Sequence, residues 1–129
     1  MACLGIAVLA ALPAAKAQQS ITVYTVSDIP VRIPPAQQSV ARTVNLDRIL
    51  QIEEALAAGL ENLEPEAAVQ TARSRLSDRD RRELALAWQG LARVQSGEIA
   101  RLPAIVFDGE AVWYGSDFRR ALRAWRSRQ

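Results

Sequence analysis

Leu102-Pro-Ala-Ile-Val-Phe-Asp-Gly-Glu-Ala-Val-Trp-Tyr-Gly115 holds two runs of strand-like composition on either side of Asp108-Gly109. Asp-Gly accepts positive φ readily and predicts a tight hairpin turn between the runs. Pro103 opens the first run, where a strand tolerates the missing N–H. Both faces of that run are apolar, with Ala104 and Val106 on one side and Ile105 and Phe107 on the other. A strand of this kind belongs in the middle of a sheet, covered by helices above and below. A helix is predicted from Ser116, with Phe118, Ala121, Leu122 and Trp125 as its buried stripe.

Upstream, Ser77 with Asp80 resembles a capping box. The helix it opens carries Leu84, Ala87, Trp88, Leu91 and Val94 at i, i+3, i+4 spacing, and Gly97 is its expected stop. In the charge run Asp78–Glu83, Asp78 with Arg82 and Arg79 with Glu83 are expected i,i+4 pairs on a solvated face. Pro65 suits the first turn of the preceding helix, whose expected apolar face is Val69, Ala72 and Leu76. Asp47 is expected to cap a helix reaching about Leu60, with Ile49, Ile52, Leu56 and Leu60 on one stripe. Ile21–Val26 reads as the first strand and Val40–Leu46 as the second. Between them Ser27, Asp28, Pro30, Pro34 and Pro35 predict a loop.

The chain has 129 residues, half of them hydrophobic, and a net charge of +2, which suits one globular domain. Residues 4–12 form an uncharged apolar run, too short for a bilayer span. Pro13 and Ala15-Lys16-Ala17 follow, so residues 1–17 read as a secretory signal peptide cleaved after Ala17, although no basic residue precedes the run. The expected domain is then 18–129, exported and without a stable membrane span. Cleavage removes Lys16, the only lysine, and Cys3, the only cysteine. The remaining chain would work in an oxidising compartment without a disulfide.

Histidine is absent, which excludes every Ser-His-Asp arrangement and the commonest metal ligand. The glycines form no phosphate-binding loop, and the adjacent Glu53 and Glu54 diverge on a helix rather than forming an acid–base pair. The chain therefore reads as a protein without catalytic activity, metal or cofactor.

Strand, Asp-Gly turn, strand and helix behind a proline resemble the C-terminal half of a thioredoxin-like fold. The expected architecture is α/β, with a central mixed sheet of about four strands, helices on both faces and no CxxC motif. The resemblance implies that Pro103 is cis and lies beside the position of the active site. In redox members of that fold the cysteine pair follows the first strand, where this chain has Thr25-Val26-Ser27-Asp28. Disulfide exchange needs a thiolate, so that chemistry is excluded here. What the resemblance leaves is a groove beside the proline that holds an extended peptide by backbone hydrogen bonds. Tyr24, Ser27, Asp28, Leu102 and Pro103 are its expected lining.

Over nearly all of residues 18–129 the chain also resembles a family of small exported proteins encoded within integrating conjugative elements of Proteobacteria. These are distantly similar to type-F conjugative pilin-assembly proteins. The matching residues are Val23-Tyr-Thr25, Pro30-Val31, Asn45-Leu-Asp47, Gly59-Leu60, Ala72-Arg73 to Leu76, Leu102 to Gly109, Val112-Trp-Tyr-Gly115 and Asp117. The resemblance implies a periplasmic accessory role in DNA transfer through a type IV secretion apparatus, with other components of that apparatus as partners. The alternative is a nucleic-acid-binding module that uses Arg119, Arg120, Arg123 and Arg126, with Trp113, Tyr114 and Trp125 for stacking. It ranks second because Trp125 falls on the apolar stripe and the near-neutral chain offers no broad basic field.

Overall fold

The computed structural model describes residues 20–129. The expected signal peptide, residues 1–17, lies outside the described residues. Four strands form one mixed sheet: β1 (Ile21–Thr25), β2 (Ala41–Asn45), β3 (Ala104–Phe107) and β4 (Ala111–Tyr114), in the spatial order β2-β1-β3-β4. β1 runs parallel to β2 and antiparallel to β3, and β3 and β4 form a hairpin. Four helices complete the fold: α1 (Arg48–Ala57), α2 (Pro65–Arg75), α3 (Asp78–Gln95) and α4 (Phe118–Ser127). The expected α/β class and four-stranded mixed sheet are observed.

The hairpin turns as its sequence requires. Asp108 (φ 52°) and Gly109 (φ 73°) are both left-handed, and the Glu110 amide donates to the Phe107 carbonyl at 3.0 Å. Asp108 also fastens the turn to the start of β1, because its amide donates to the Ser20 carbonyl at 2.7 Å and its carboxylate accepts from the Ser20 amide at 2.9 Å. That bonded pair fixes the alternation along the ladder, so Thr22 faces Val106 and Tyr24 faces Ala104 as hydrogen-bonded pairs.

Every residue of β3 is buried, as its two apolar faces predict. On one face Ile21, Val23, Ile105 and Phe107 meet Phe118, Ala121 and Leu122 of α4 and Val31 from the loop after β1. On the other, Tyr24, Ala104 and Val106 meet Ala87 of α3, Ile49 of α1, and Leu46 and Ile99. Each large aliphatic side chain so covered contributes about 1.5–3 kcal/mol.

Two residues assigned to apolar helix faces are half exposed, Trp88 and Val69, each at 50%. For α3 the reason is distance. The helix meets the sheet through Ala87 and Gly90, and a Cβ on Gly90 would lie 2.7 Å from Leu46 Cδ2 and from Tyr24 Cδ1. No indole fits in so close a contact, and Trp88 is turned about 100° away from Ala87. For α2 the reason is layering: the helix has no buried residue, and its packing is against α1 rather than the sheet.

Capping also departs from expectation. Ser77 caps α3 through a bond from the Asp80 amide at 3.1 Å, but the Asp80 carboxylate reaches Arg48, not back to Ser77. Asp47 makes no side-chain cap to α1, which stops at Ala57 before Gly59 (φ 77°). The other end of α1 is closed by Arg75, whose Nη1 donates to the carbonyls of Ala55, Leu56 and Ala58 at 3.3, 3.2 and 2.7 Å. A cation there meets the negative end of the helix and its unpaired carbonyls. The crossover between the parallel strands β1 and β2, commonly an α-helix, is here a loop with one short 3-10 turn at Pro35–Gln37.

Gly90→Ala is expected to lower stability by about 1–3 kcal/mol through overpacking against Tyr24 and Leu46. Gln89→Ala, exposed on the same helix, should stay within about 0.5 kcal/mol of the parent. Urea denaturation of the two variants measures the difference.

Candidate functional site

The ends of the central strands bring the loop that carries Ser27 and Asp28 towards Leu102-Pro103 at one end of the sheet. Continuing the β1–β3 register past Tyr24 and Ala104 sets Thr25 opposite Pro103. The Leu102–Pro103 peptide is cis, and the Pro103 carbonyl accepts from the Gly115 amide at 3.0 Å. The end of β1 and the ends of the hairpin therefore meet at this point.

The loop after β1 is held from three sides. Thr25 is fully buried, and its Oγ1 donates to the Ile29 carbonyl at 2.6 Å. The Ile29 amide closes a turn onto the Val26 carbonyl at 3.0 Å. Asp47 accepts from the Ser27 amide at 3.1 and 3.2 Å and from the Ser27 hydroxyl at 3.1 Å, while Gln51 Nε2 donates to that hydroxyl at 3.3 Å. Asp47 thus clamps the β1 loop to the start of α1, which is why it does not cap its own helix. The Ser27–Asp47–Gln51 cluster positions the backbone.

Ser27 and Asp28 are exposed at this end of the sheet, and Leu102 and Pro103 are half-buried. Tyr24 differs. Its side chain is buried beneath α3, beside Gly90, with the Arg93 guanidinium 5.9 Å from the ring centroid. Arg93 continues outward, bonding Glu98 at 2.8 Å and the Gly109 carbonyl at 3.2 Å, which ties the end of α3 to the hairpin turn. Its pKa is raised, first through the Glu98 bond.

The α4 arginines lie on another surface. Arg119, Arg120, Arg123 and Arg126 are all exposed. Arg119, Arg123 and Arg126 line a groove between α4 and the loop around Pro34, and Arg120 stands outside it. The aromatic residues proposed to stack on bases are elsewhere. Trp125 stacks on Phe107 at 5.3 Å, and Trp113 lines the same separate cleft beside β4. The Tyr114 hydroxyl accepts from the Ala100 amide at 2.9 Å, and Arg101 lies over its ring at 4.8 Å. Among the described residues, no group of three or more His, Cys, Asp or Glu could hold a metal ion, and no helix is long and apolar enough to cross a membrane.

Residues 17–129 match the model of a family described as protein of unknown function (DUF1525). The chain belongs to the DUF1525 family. No curated protein and no solved structure matches it. The match covers every strand and helix described above, so the end of the sheet at Pro103 and the α4 groove both lie within the family region.

Periodicity gave no sign of the ion pairs that join α1 to α3 in this family member. Arg48 bonds Glu83 at 2.6 Å and Asp80 at 3.4 Å, and Glu83 also takes Arg79 at 3.0 Å. Of the two expected i,i+4 pairs, Arg79 with Glu83 forms, and Asp78 with Arg82 is not among the ion pairs of the described residues. Arg48, Glu83 and Leu86 border a cleft against the outer strand β2. The Arg48 hydrogen bond, then the one from Arg79, holds the Glu83 carboxyl below its ordinary range, against a partial opposing effect of burial.

A carboxyl lowered in the folded state stabilises the protein above its unfolded pKa, about 4.3. That contribution is lost as pH falls through the lower folded value. Arg48→Met is expected to destabilise by about 1 kcal/mol or less at neutral pH, since both side chains remain partly exposed. It should also flatten the fall in stability below about pH 4.3. Urea midpoints between pH 3 and 7 for both proteins measure it.

Proposed function

We propose that this protein is a non-enzymatic accessory component of the conjugative DNA-transfer apparatus of an integrating conjugative element. It is exported to the periplasm and acts there by binding another protein. Its scaffold is a thioredoxin-like sheet that keeps the peptide-holding end without the sulfur chemistry.

The observation that carries this reading is the composition of the end of the sheet where β1 and β3 meet. A cis proline opens β3, and Ser27 and Asp28 occupy the loop after β1. Asp47 and Gln51 hold that loop by hydrogen bonds. These parts fix backbone shape, and none supplies a thiolate or an imidazole. The spatial order β2-β1-β3-β4, with a parallel β1–β2 pair and an antiparallel hairpin, supports the scaffold assignment. The loop crossover between β1 and β2 is its departure, and it leaves part of the α4 face bordered by a proline-rich loop rather than a helix. The family resemblance set out from the sequence supplies the conjugative setting.

In a donor strain carrying the element, deletion of this gene is expected to lower transfer frequency by at least about tenfold. Expression of the full chain in trans should restore it. Unchanged transfer after deletion contradicts the proposal.

A further inference from the structure

We infer that the groove between the proline-rich loop and α4 docks an acidic segment of the partner protein. This rests on the protein-binding reading and names the chemistry of the segment bound. Two adjoining clefts make up the groove, about 680 and 310 Å³ in volume, and both are bordered by Pro34 and Arg119. Ile33, Pro34 and Leu122 supply an apolar lining, and Arg32, Arg119, Arg123 and Arg126 supply charge.

Among the described residues three arginines form ion pairs and the others, those of the groove included, form none; the groove is distinguished by bringing four of the unpaired ones together. Arg48, Arg79 and Arg93 each meet a carboxylate within 3.4 Å. None of the four groove arginines makes an ion pair with another described residue. Asp117, the only acid among the described residues that line the groove, caps α4 by accepting from the Arg120 amide at 3.1 Å. Arg119 and Arg123 are like charges at i,i+4, an arrangement that costs a few tenths of a kcal/mol in the free protein. An acidic ligand turns that repulsion into attraction.

The spacing suits a peptide. Arg119 and Arg123 are separated by about 6 Å along the helix axis. Alternate residues of an extended chain are about 6.6 Å apart. Acids at every second position would meet successive arginines of α4, with the intervening side chains turned towards Ile33 and Pro34 on the loop wall. Proline restricts the loop wall before binding, which lowers the ordering cost of docking. Nucleic acid fits less well. Among the described residues Phe118 is the only aromatic ring lining the groove and is 2% exposed, and Trp125 is stacked on Phe107. No platform for base stacking lies between the arginines.

Amide-resolved NMR titration tests the inference. The probes are an acetylated ten-residue peptide of alternating Glu and Ala, and a single-stranded thymidylate oligonucleotide of similar charge. The peptide is expected to shift residues 32–38 and 117–126 at low salt. Affinity should fall about tenfold or more in the double variant Arg119→Glu/Arg123→Glu. It should be kept in Arg81→Glu/Arg82→Glu, which reverses two exposed charges on α3. Circular dichroism melts check that each variant is folded. Equal binding by the groove variant, shifts centred on α3, or tighter binding of the oligonucleotide at the groove overturns the inference. In the donor strain, the groove variant should fail to restore transfer to the deletion. If deletion lowers transfer and this variant restores it fully, the groove is excluded while the proposed function stands.

Discussion

The ladder between β1 and β3 is the contact on which the other contacts depend. Both strands are central, and they carry apolar side chains on both faces. A strand pair with no solvent face must be covered twice. That requirement sets α4 against Ile21, Val23, Ile105 and Phe107, and α3 against Tyr24, Ala104 and Val106. The small surfaces of Ala87 and Gly90 then let α3 approach until Tyr24 touches its backbone. The same ladder brings the loop after β1 to the cis proline at the head of β3. The arrangement at this end of the sheet is therefore a consequence of how the core closes.

Polar contacts then divide the surface by task. Asp47 fastens the β1 loop, Arg75 closes α1, Arg48 joins α1 to α3, and Arg93 joins α3 to the hairpin. Each of these side chains ties together elements that the core alone leaves adjacent. The arginines of the α4 groove tie nothing within the described residues. Other arginines, Arg81 and Arg82 among them, are equally unpaired; what sets Arg119, Arg123 and Arg126 apart is that they converge with Arg32 on one groove.

Much of the fold was legible because its signals are local. Asp108-Gly109 calls for positive φ, the alternating faces of β3 call for two covering layers, and the α4 stripe follows a 3.6-residue period. The misreadings concern distances between elements. Trp88 sits at a position periodicity treats as equivalent to Ala87, yet only the smaller residue fits where α3 meets the sheet. Val69 has the right period on a helix that never reaches the sheet. Asp47 has the composition of a cap, but a better pair of donors arrives from Ser27, 20 residues earlier. The placement of Ser27, Asp28, Leu102 and Pro103 at one end of the sheet follows from strand order and register, which local patterns reveal. Tyr24 shows the limit: strand register places it there, but its side chain takes the α3 face. Nothing in the sequence alone separated Arg119, Arg123 and Arg126 from the paired arginines, because pairing depends on which helices meet.

Native-state hydrogen exchange tests most directly whether the β1–β3 ladder holds the molecule together. The amides of Thr22, Tyr24 and Val106 bond across that ladder and should exchange only through global unfolding. Their opening free energy should equal the unfolding free energy from urea and exceed that of any amide in α2. If these three amides exchange through a lower-energy opening while α3 stays protected, the ladder is peripheral to stability and some other contact holds the molecule together.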